Sequence, residues 1–252
     1  MAGKAYQYCF TELFMQTFLV SGGSRGIGRA VVEELTRQGK CVSFLYEKND
    51  AAAEEVARLT GAFPIRCDVA DPAQVSGAVA EARKHMGRIE GLVCAAGVAL
   101  KGLFTDVTPE QWRRLCGVDL DGQMYLISAV LPEMISRRRG SIVTVSSVWG
   151  VYGASCEVHY SAAKAALIGL TKALAKEAGP SGVRVNCVCP GVIDTDMNAD
   201  LTDSDRAQLC DATPLGRLGT PEEAAKAVCF LLGEDAGFIT GQVLGVDGGF
   251  IG

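Results

Sequence analysis

Ser147, Tyr160 and Lys164 are residues whose types and spacing could do chemistry; they lie in the stretch SSVWGVYGASCEVHYSAAK, residues 146–164. Tyr160 and Lys164 are one helical turn apart, so on a helix they share a face. An unperturbed tyrosine, with a pKa of about 10, transfers protons poorly at neutral pH. A lysine ammonium beside it favours the phenolate and draws that pKa down. A serine hydroxyl within reach could hydrogen-bond the oxygen of a reacting carbonyl. The competing reading is three unrelated polar positions on a helix and its preceding loop.

A second chemical feature precedes them. The apolar run TFLV (17–20) leads into SGGSRGIGRAVVEEL, with glycines at Gly22, Gly26 and Gly28 and with Ser24, Arg25 and Ile27 inside the turn. A strand, a glycine turn and a helix make a phosphate site, because the helix N-terminus offers free N–H groups and glycine lets the ligand approach the backbone. Glycine can also end a strand for steric reasons alone; the position after the first core strand favours nucleotide binding. The next strand ends at Tyr46, in FLYEKN. An acid there would bind a ribose 2′-hydroxyl and repel a 2′-phosphate. Tyr46 does neither, and Arg25 has the planar fork that suits a phosphate. Glu47 counts against this, but the balance points to NADP(H) over NAD(H).

The elements that must position these groups are legible as apolar runs. Residues 17–20, 41–46, 63–67, 91–96, 141–146, 183–189 and 242–246 read as short buried strands, separated by segments of helical period such as PEEAAKAVCFLLG, with Pro221 at a helix start. Strands apolar on both faces and alternating with helices imply a parallel sheet covered on each side. Spans 109–138 and 157–178 read as the two longest helices, and the small residues of the second suit close packing, internal or between subunits. No Pro/Ser-rich linker or repeat divides the chain, so residues 15–252 read as one catalytic domain. Residues 1–14, before Met15, read as an extension outside the fold.

Composition narrows the classes. The chain has 252 residues, 48% hydrophobic and 21% charged, with a net charge of -5. That is a globular composition and disfavours a nucleic-acid binder, whose affinity depends on basic patches. Ten cysteines and two histidines form no metal-ligand cluster, so no metal is expected. Cysteines within apolar strands suit a reducing cytosol. No apolar run is long enough to span a membrane.

The ordered set Gly22-x-x-x-Gly26-Ile27-Gly28, CDV (67–69), CAAG (94–97), Ser147, Tyr160-x-x-x-Lys164 and PGVIDTDM (190–197) resembles the short-chain dehydrogenase/reductase family over residues 15–252. Within it, SGGSRGIGRA, PLGRLGTPEEAAKAVCFLL and ITGQVLGVDGG are most similar to bacterial 3-oxoacyl-[acyl-carrier-protein] reductases. The resemblance implies a Rossmann-type, doubly wound α/β fold with seven parallel strands and helices on both faces. It implies that Tyr160 gives a proton to the substrate carbonyl, that Lys164 holds the nicotinamide ribose, and that Ser147 binds the carbonyl oxygen. Asp68 would bind the adenine amino group and Val69 would line its pocket. Ala95, Ala96 and Gly97 would run beside the ribose. Pro190, Gly191, Ile193 and Thr195 would shape the nicotinamide site. For Asp68 the structural alternative is a strand-end cap, and for Pro190-Gly191 a turn after a strand.

Two departures stand out. Asp119 occupies a position where the family usually has asparagine, supporting a relay to the lysine, and Cys94 replaces another asparagine. An aspartate there is expected to keep the relay while altering its pH dependence. The resemblance also implies a homotetramer, and reduction of a 3-oxoacyl thioester, with acyl-carrier protein met partly through Arg138; Ser181 stands at a second usually basic position. Residues 196–214 would form a substrate lid. A secondary alcohol or hydroxysteroid dehydrogenase is the alternative enzyme, and a catalytically silent nucleotide-binding subunit the alternative of another class.

Overall fold

The computed structural model describes residues 16–199 and 201–250; the expected extension at 1–14 lies outside the described residues. Seven parallel strands form one sheet in the order β3-β2-β1-β4-β5-β6-β7. They are β1 (Thr17–Ser21), β2 (Cys41–Tyr46), β3 (Phe63–Arg66), β4 (Gly91–Cys94), β5 (Gly140–Val145), β6 (Val183–Pro190) and β7 (Val243–Val246). Each apolar run of the sequence became one of these strands.

Alternate residues of the inner strands feed opposite cores. Leu19, Leu92, Ile142 and Val185 are in register across four strands and point to one face. Phe44, Val20, Val93 and Val143 make the corresponding row on the other. The first face is covered by α3 (Pro72–Met86), α5 (Gly122–Ser136) and α7 (Val158–Ala178). The second is covered by α1 (Gly26–Arg37), α2 (Asp50–Thr60) and α9 (Pro221–Leu232). Helix α9 starts as expected: Thr220 caps it in a capping box with Glu223, and Pro221 opens its first turn.

The chain winds outward from β1 through β2 to β3, then returns to place β4 on the other side of β1. This reversal opens a crevice at the carboxyl ends of β1 and β4, where ligands of such sheets bind. The long helix expected over 109–138 is interrupted. It consists of α4 (Pro109–Cys116), a wide turn at Gly117–Asp121 in which the Gly122 amide bonds the Gly117 carbonyl, and α5. Such wide turns inside helices are frequent at functional sites. This one carries Asp119. The expected lid contains a short turn at Asp196–Asn198 and the helix α8 (Asp203–Asp211). Between β5 and α7 lies α6 (Val148–Tyr152).

Candidate active site

A cleft of about 700 Å³ runs from the glycine turn, past the ends of β1 and β4, to Ser147, Tyr160 and Lys164. Every sequence-predicted cofactor and catalytic position except Asp119 lines it; Asp119 lies directly behind Lys164.

The glycine turn is built for close approach. A side chain at Gly28 would put its Cβ 2.2 Å from the Gly22 carbonyl oxygen, and one at Gly22 would reach 2.9 Å from the Ala96 Cα. These two glycines let the turn fold against the start of α1 and against the segment after β4. In front of Gly26, by contrast, the nearest atoms belong to Thr195 at 3.6 Å, which leaves a cradle open to the cleft. The first turn of α1 carries no acidic side chain, so nothing competes for its amide donors. These features fit a pyrophosphate. Arg25 precedes the helix, exposed, on the cleft wall.

A buried network that sequence reasoning missed holds the 94–98 segment beside this turn. Ser21 Oγ accepts from the Ala95 and Ala96 amides at 3.0 and 3.1 Å. Gln123 Nε2 donates to the Ala96 and Val118 carbonyls at 2.8 and 2.9 Å. Both side chains are fully buried. A polar residue at the end of an apolar strand was the available signal for Ser21; for Gln123 there was none beyond its place in a helix.

At the other end, Ser147 caps α6, its Oγ accepting from the Trp149 amide at 3.1 Å. Tyr160 and Lys164 lie on the first two turns of α7, both buried, with the ammonium 5.5 Å from the tyrosine ring centre. Ser146 anchors this helix to β5 by donating to the Lys164 carbonyl at 2.8 Å. Lys164 Nζ donates to the Val145 carbonyl at 3.2 Å and lies 3.1 Å from Asp119 Oδ2. Asp119 Oδ1 accepts from the Val98 amide at 2.8 Å. The Asp119–Lys164 contact is ionic but off the angle of a hydrogen bond, so Oδ2 is a buried acceptor without an aligned donor.

Charge and burial compete here. Burial pushes the Tyr160 hydroxyl up; Lys164 pulls it down, Asp119 raises it again, and Ser147 lowers it. Lys164 draws the hydroxyl down, as its spacing suggested, while burial, the largest cause, sets the net direction upward. Tyr160 therefore keeps its proton across the neutral range, as a proton donor must. Burial also lifts the Asp119 carboxyl, against the opposing pull of Lys164 and the Val98 amide. Burial disfavours the Lys164 ammonium, but the Asp119 carboxylate and the Tyr160 hydroxyl together outweigh it and hold this lysine above its ordinary value.

These directions give the effect of removing the charge at Asp119. Without it, phenolate formation at Tyr160 meets one negative neighbour fewer, so its pKa falls. Reduction needs the protonated tyrosine. The alkaline limb of the pH–rate profile is therefore expected to move to lower pH in Asp119→Asn, by about half a unit or more, as measured from about pH 7 to 12 so that the limb of the raised tyrosine is covered. An unmoved limb would uncouple Asp119 from the tyrosine.

Other expected residues fall as follows. Pro190 ends β6, and the Gly191 amide bonds the Val246 carbonyl, where a Cβ would meet the Asp247 Cα at 2.8 Å. Ile193 is buried and Thr195 faces Gly26. Val69 is buried beside Asp68. Both Asp68 oxygens are engaged, Oδ1 with the Ala70 amide at 3.0 Å and Oδ2 with Arg114 at 2.6 Å. Arg138 is not brought to the site. It precedes β5 while Ser147 follows it, so the six-residue strand, about 20 Å long, separates the two. Its side chain donates to the Pro180 carbonyl. Ser181 sits in the neighbouring turn. Among the described residues no group of His, Cys, Asp or Glu is arranged to hold a metal ion, and no helix is long and apolar enough to cross a membrane.

A doubly wound parallel sheet with an open glycine turn at its switch point, and a buried tyrosine–lysine pair at the far end of the cleft, defines a dinucleotide-dependent oxidoreductase. Comparison with known proteins agrees. A family model described as enoyl-(acyl carrier protein) reductase matches residues 22–251. The chain is 40% identical to the uncharacterized oxidoreductase YmfI of Bacillus subtilis, over 93% of this chain and 98% of that protein. It is 38% identical to the 3-oxoacyl-[acyl-carrier-protein] reductase FabG of Escherichia coli, over 92% and 95% of the two chains. A Serratia marcescens short-chain dehydrogenase/reductase double mutant superposes with a TM-score of 0.87 at 34% identity, covering 93% and 97%. A Brucella melitensis structure described as ribose-5-phosphate isomerase superposes with a TM-score of 0.88 at 38% identity, covering 95% and 93%. The chain belongs to the short-chain dehydrogenase/reductase family and is an NAD(P)-dependent oxidoreductase.

Proposed function

We propose that this chain reduces a 3-oxoacyl thioester, carried on acyl-carrier protein, to the (3R)-3-hydroxyacyl product with NADPH. The observation that carries the reading is the placement of a buried Tyr160, beside Lys164, at one end of a cleft whose other end fits a pyrophosphate. The 38–39% identity to FabG proteins supports the thioester substrate.

Bound in the cleft, the dinucleotide would supply hydride to the carbonyl carbon. The residues of the chain handle the oxygen. Ser147 donates a hydrogen bond to it, Tyr160 delivers its phenolic proton, and Lys164 stabilises the phenolate left behind. Trp149 and Met197 on the cleft wall suit the apolar part of an acyl chain. The preference for the 2′-phosphate is supported by Arg25 and Lys48 on the wall and by Tyr46 at the end of β2. Because Arg138 lies a strand's length from Ser147, an acyl-carrier contact through it would have to serve the site of a second copy of the chain, as in the proposed homotetramer.

The test is steady-state oxidation of NADPH and of NADH with acetoacetyl-acyl-carrier protein and acetoacetyl-coenzyme A. Turnover is expected with both thioesters, and kcat/KM at least tenfold higher with NADPH. Tight NADPH binding without turnover on either thioester would reject this substrate class.

A further inference from the structure

The adenosine end of the cleft carries a charge arrangement that no step of the reduction uses. Arg114, on α4, reaches two carboxylates at once. Its Nη1 lies 2.6 Å from Asp68 Oδ2 and its Nη2 lies 3.0 Å from Glu47 Oε1. The same Glu47 oxygen takes Lys48 Nζ at 3.0 Å. All four side chains line the cleft. Glu47 directly follows β2, close to the place where a carboxylate binds a ribose 2′-hydroxyl and repels a 2′-phosphate. Here that carboxylate is held between two cations. Two carboxylates and two cations sum to zero, and removal of Arg114 would leave one uncompensated negative charge beside Tyr46.

We propose that Arg114 is a specificity-determining residue for the adenosine moiety. Its planar fork bridges Glu47 and Asp68, draws Glu47 away from the ribose, and cancels the field that this acid would set against a 2′-phosphate. Arg25, at the glycine turn, then faces the phosphate unopposed. This inference rests on the NADPH reading above and extends it to a residue on a helix outside the nucleotide-binding turns. Arg114, Glu47 and Asp68 are 39, 34 and 28% exposed, so solvent screens the bridge. The expected effect is about tenfold rather than hundreds of fold.

The experiment titrates the full chain with 2′,5′-ADP and with 5′-AMP, two probes that differ only in the 2′-phosphate, by calorimetry at fixed salt. Wild type is expected to bind 2′,5′-ADP more tightly. Arg114→Leu should weaken 2′,5′-ADP about tenfold and 5′-AMP by less than threefold. Adding Glu47→Gln to Arg114→Leu should restore most of the loss, because the repelling charge is then gone. Equal weakening of both probes, which leaves their ratio unchanged, would make Arg114 a structural brace only and overturn the proposal, as would no change in either affinity. A wild type that binds both probes equally would instead reject the NADPH reading, and the inference with it.

Discussion

Tyr160→Phe is expected to lower kcat for reduction by about 10²–10⁴-fold while NADPH affinity changes by less than about threefold. The substitution leaves the surroundings of residue 160 in place. The tyrosine ring is buried in a small cluster with Leu115 and Ala163, against Trp112 and Trp149, and phenylalanine keeps that packing. The hydroxyl alone is lost. Lys164 keeps Asp119 and the Val145 carbonyl as partners, so no buried charge is stranded. Ser147 keeps its capping bond to the Trp149 amide and can still polarise a carbonyl. What is missing is the group that delivers a proton as charge develops on oxygen. Single-turnover kinetics with acetoacetyl thioester, beside NADPH titration by fluorescence, separates the two quantities. Activity within fivefold of wild type would assign proton delivery to another group, and a parallel loss of cofactor affinity would make the hydroxyl a binding group instead.

The sheet was legible because its inner strands are buried on both faces and so read as nearly unbroken apolar runs. LVC at 92–94 and IVTV at 142–145 need no partner to declare themselves. The Tyr160–Lys164 spacing was legible for a similar reason, since both residues belong to one helix and their separation is its period. What sequence did not show is contact between distant segments. The wide turn at Gly117–Asp121 has no periodicity of its own, so 109–138 read as one helix. Gln123 reaches across to the Ala96 carbonyl, and Arg114 across to Glu47, through folding that no local pattern encodes. Glu47 consequently stood in the sequence as an argument against the 2′-phosphate, although in space a guanidinium and an ammonium flank it. Arg138 shows the converse: its place in a motif suggested the site mouth, while the strand between it and Ser147 puts it at the amino end of β5, away from the site of its own chain.

Lys164→Met is expected to destabilise the chain by about 3–5 kcal/mol at pH 8, in addition to abolishing turnover, because it strands Asp119. Methionine fills the volume of the lysine stem but offers nothing to Asp119 Oδ2, which is fully buried and already lacks an aligned donor. Burial lifts the Asp119 carboxyl even with the ammonium 3.1 Å away, and without it the carboxyl moves higher still. The folded variant then holds a proton that the unfolded chain has released, over the window from the ordinary aspartate value, about 4, up to the new one. In that window stability falls as pH rises. The variant should therefore melt within a few degrees of wild type at pH 5 and roughly 10 °C below it at pH 8, whereas Asp119→Asn combined with Lys164→Met should show no such slope. Calorimetric melts of the three proteins from pH 5 to 8 measure this directly. A Lys164→Met protein with a pH-independent deficit would mean that Asp119 finds another donor, and that the ion pair orients the lysine without carrying the charge balance of the site.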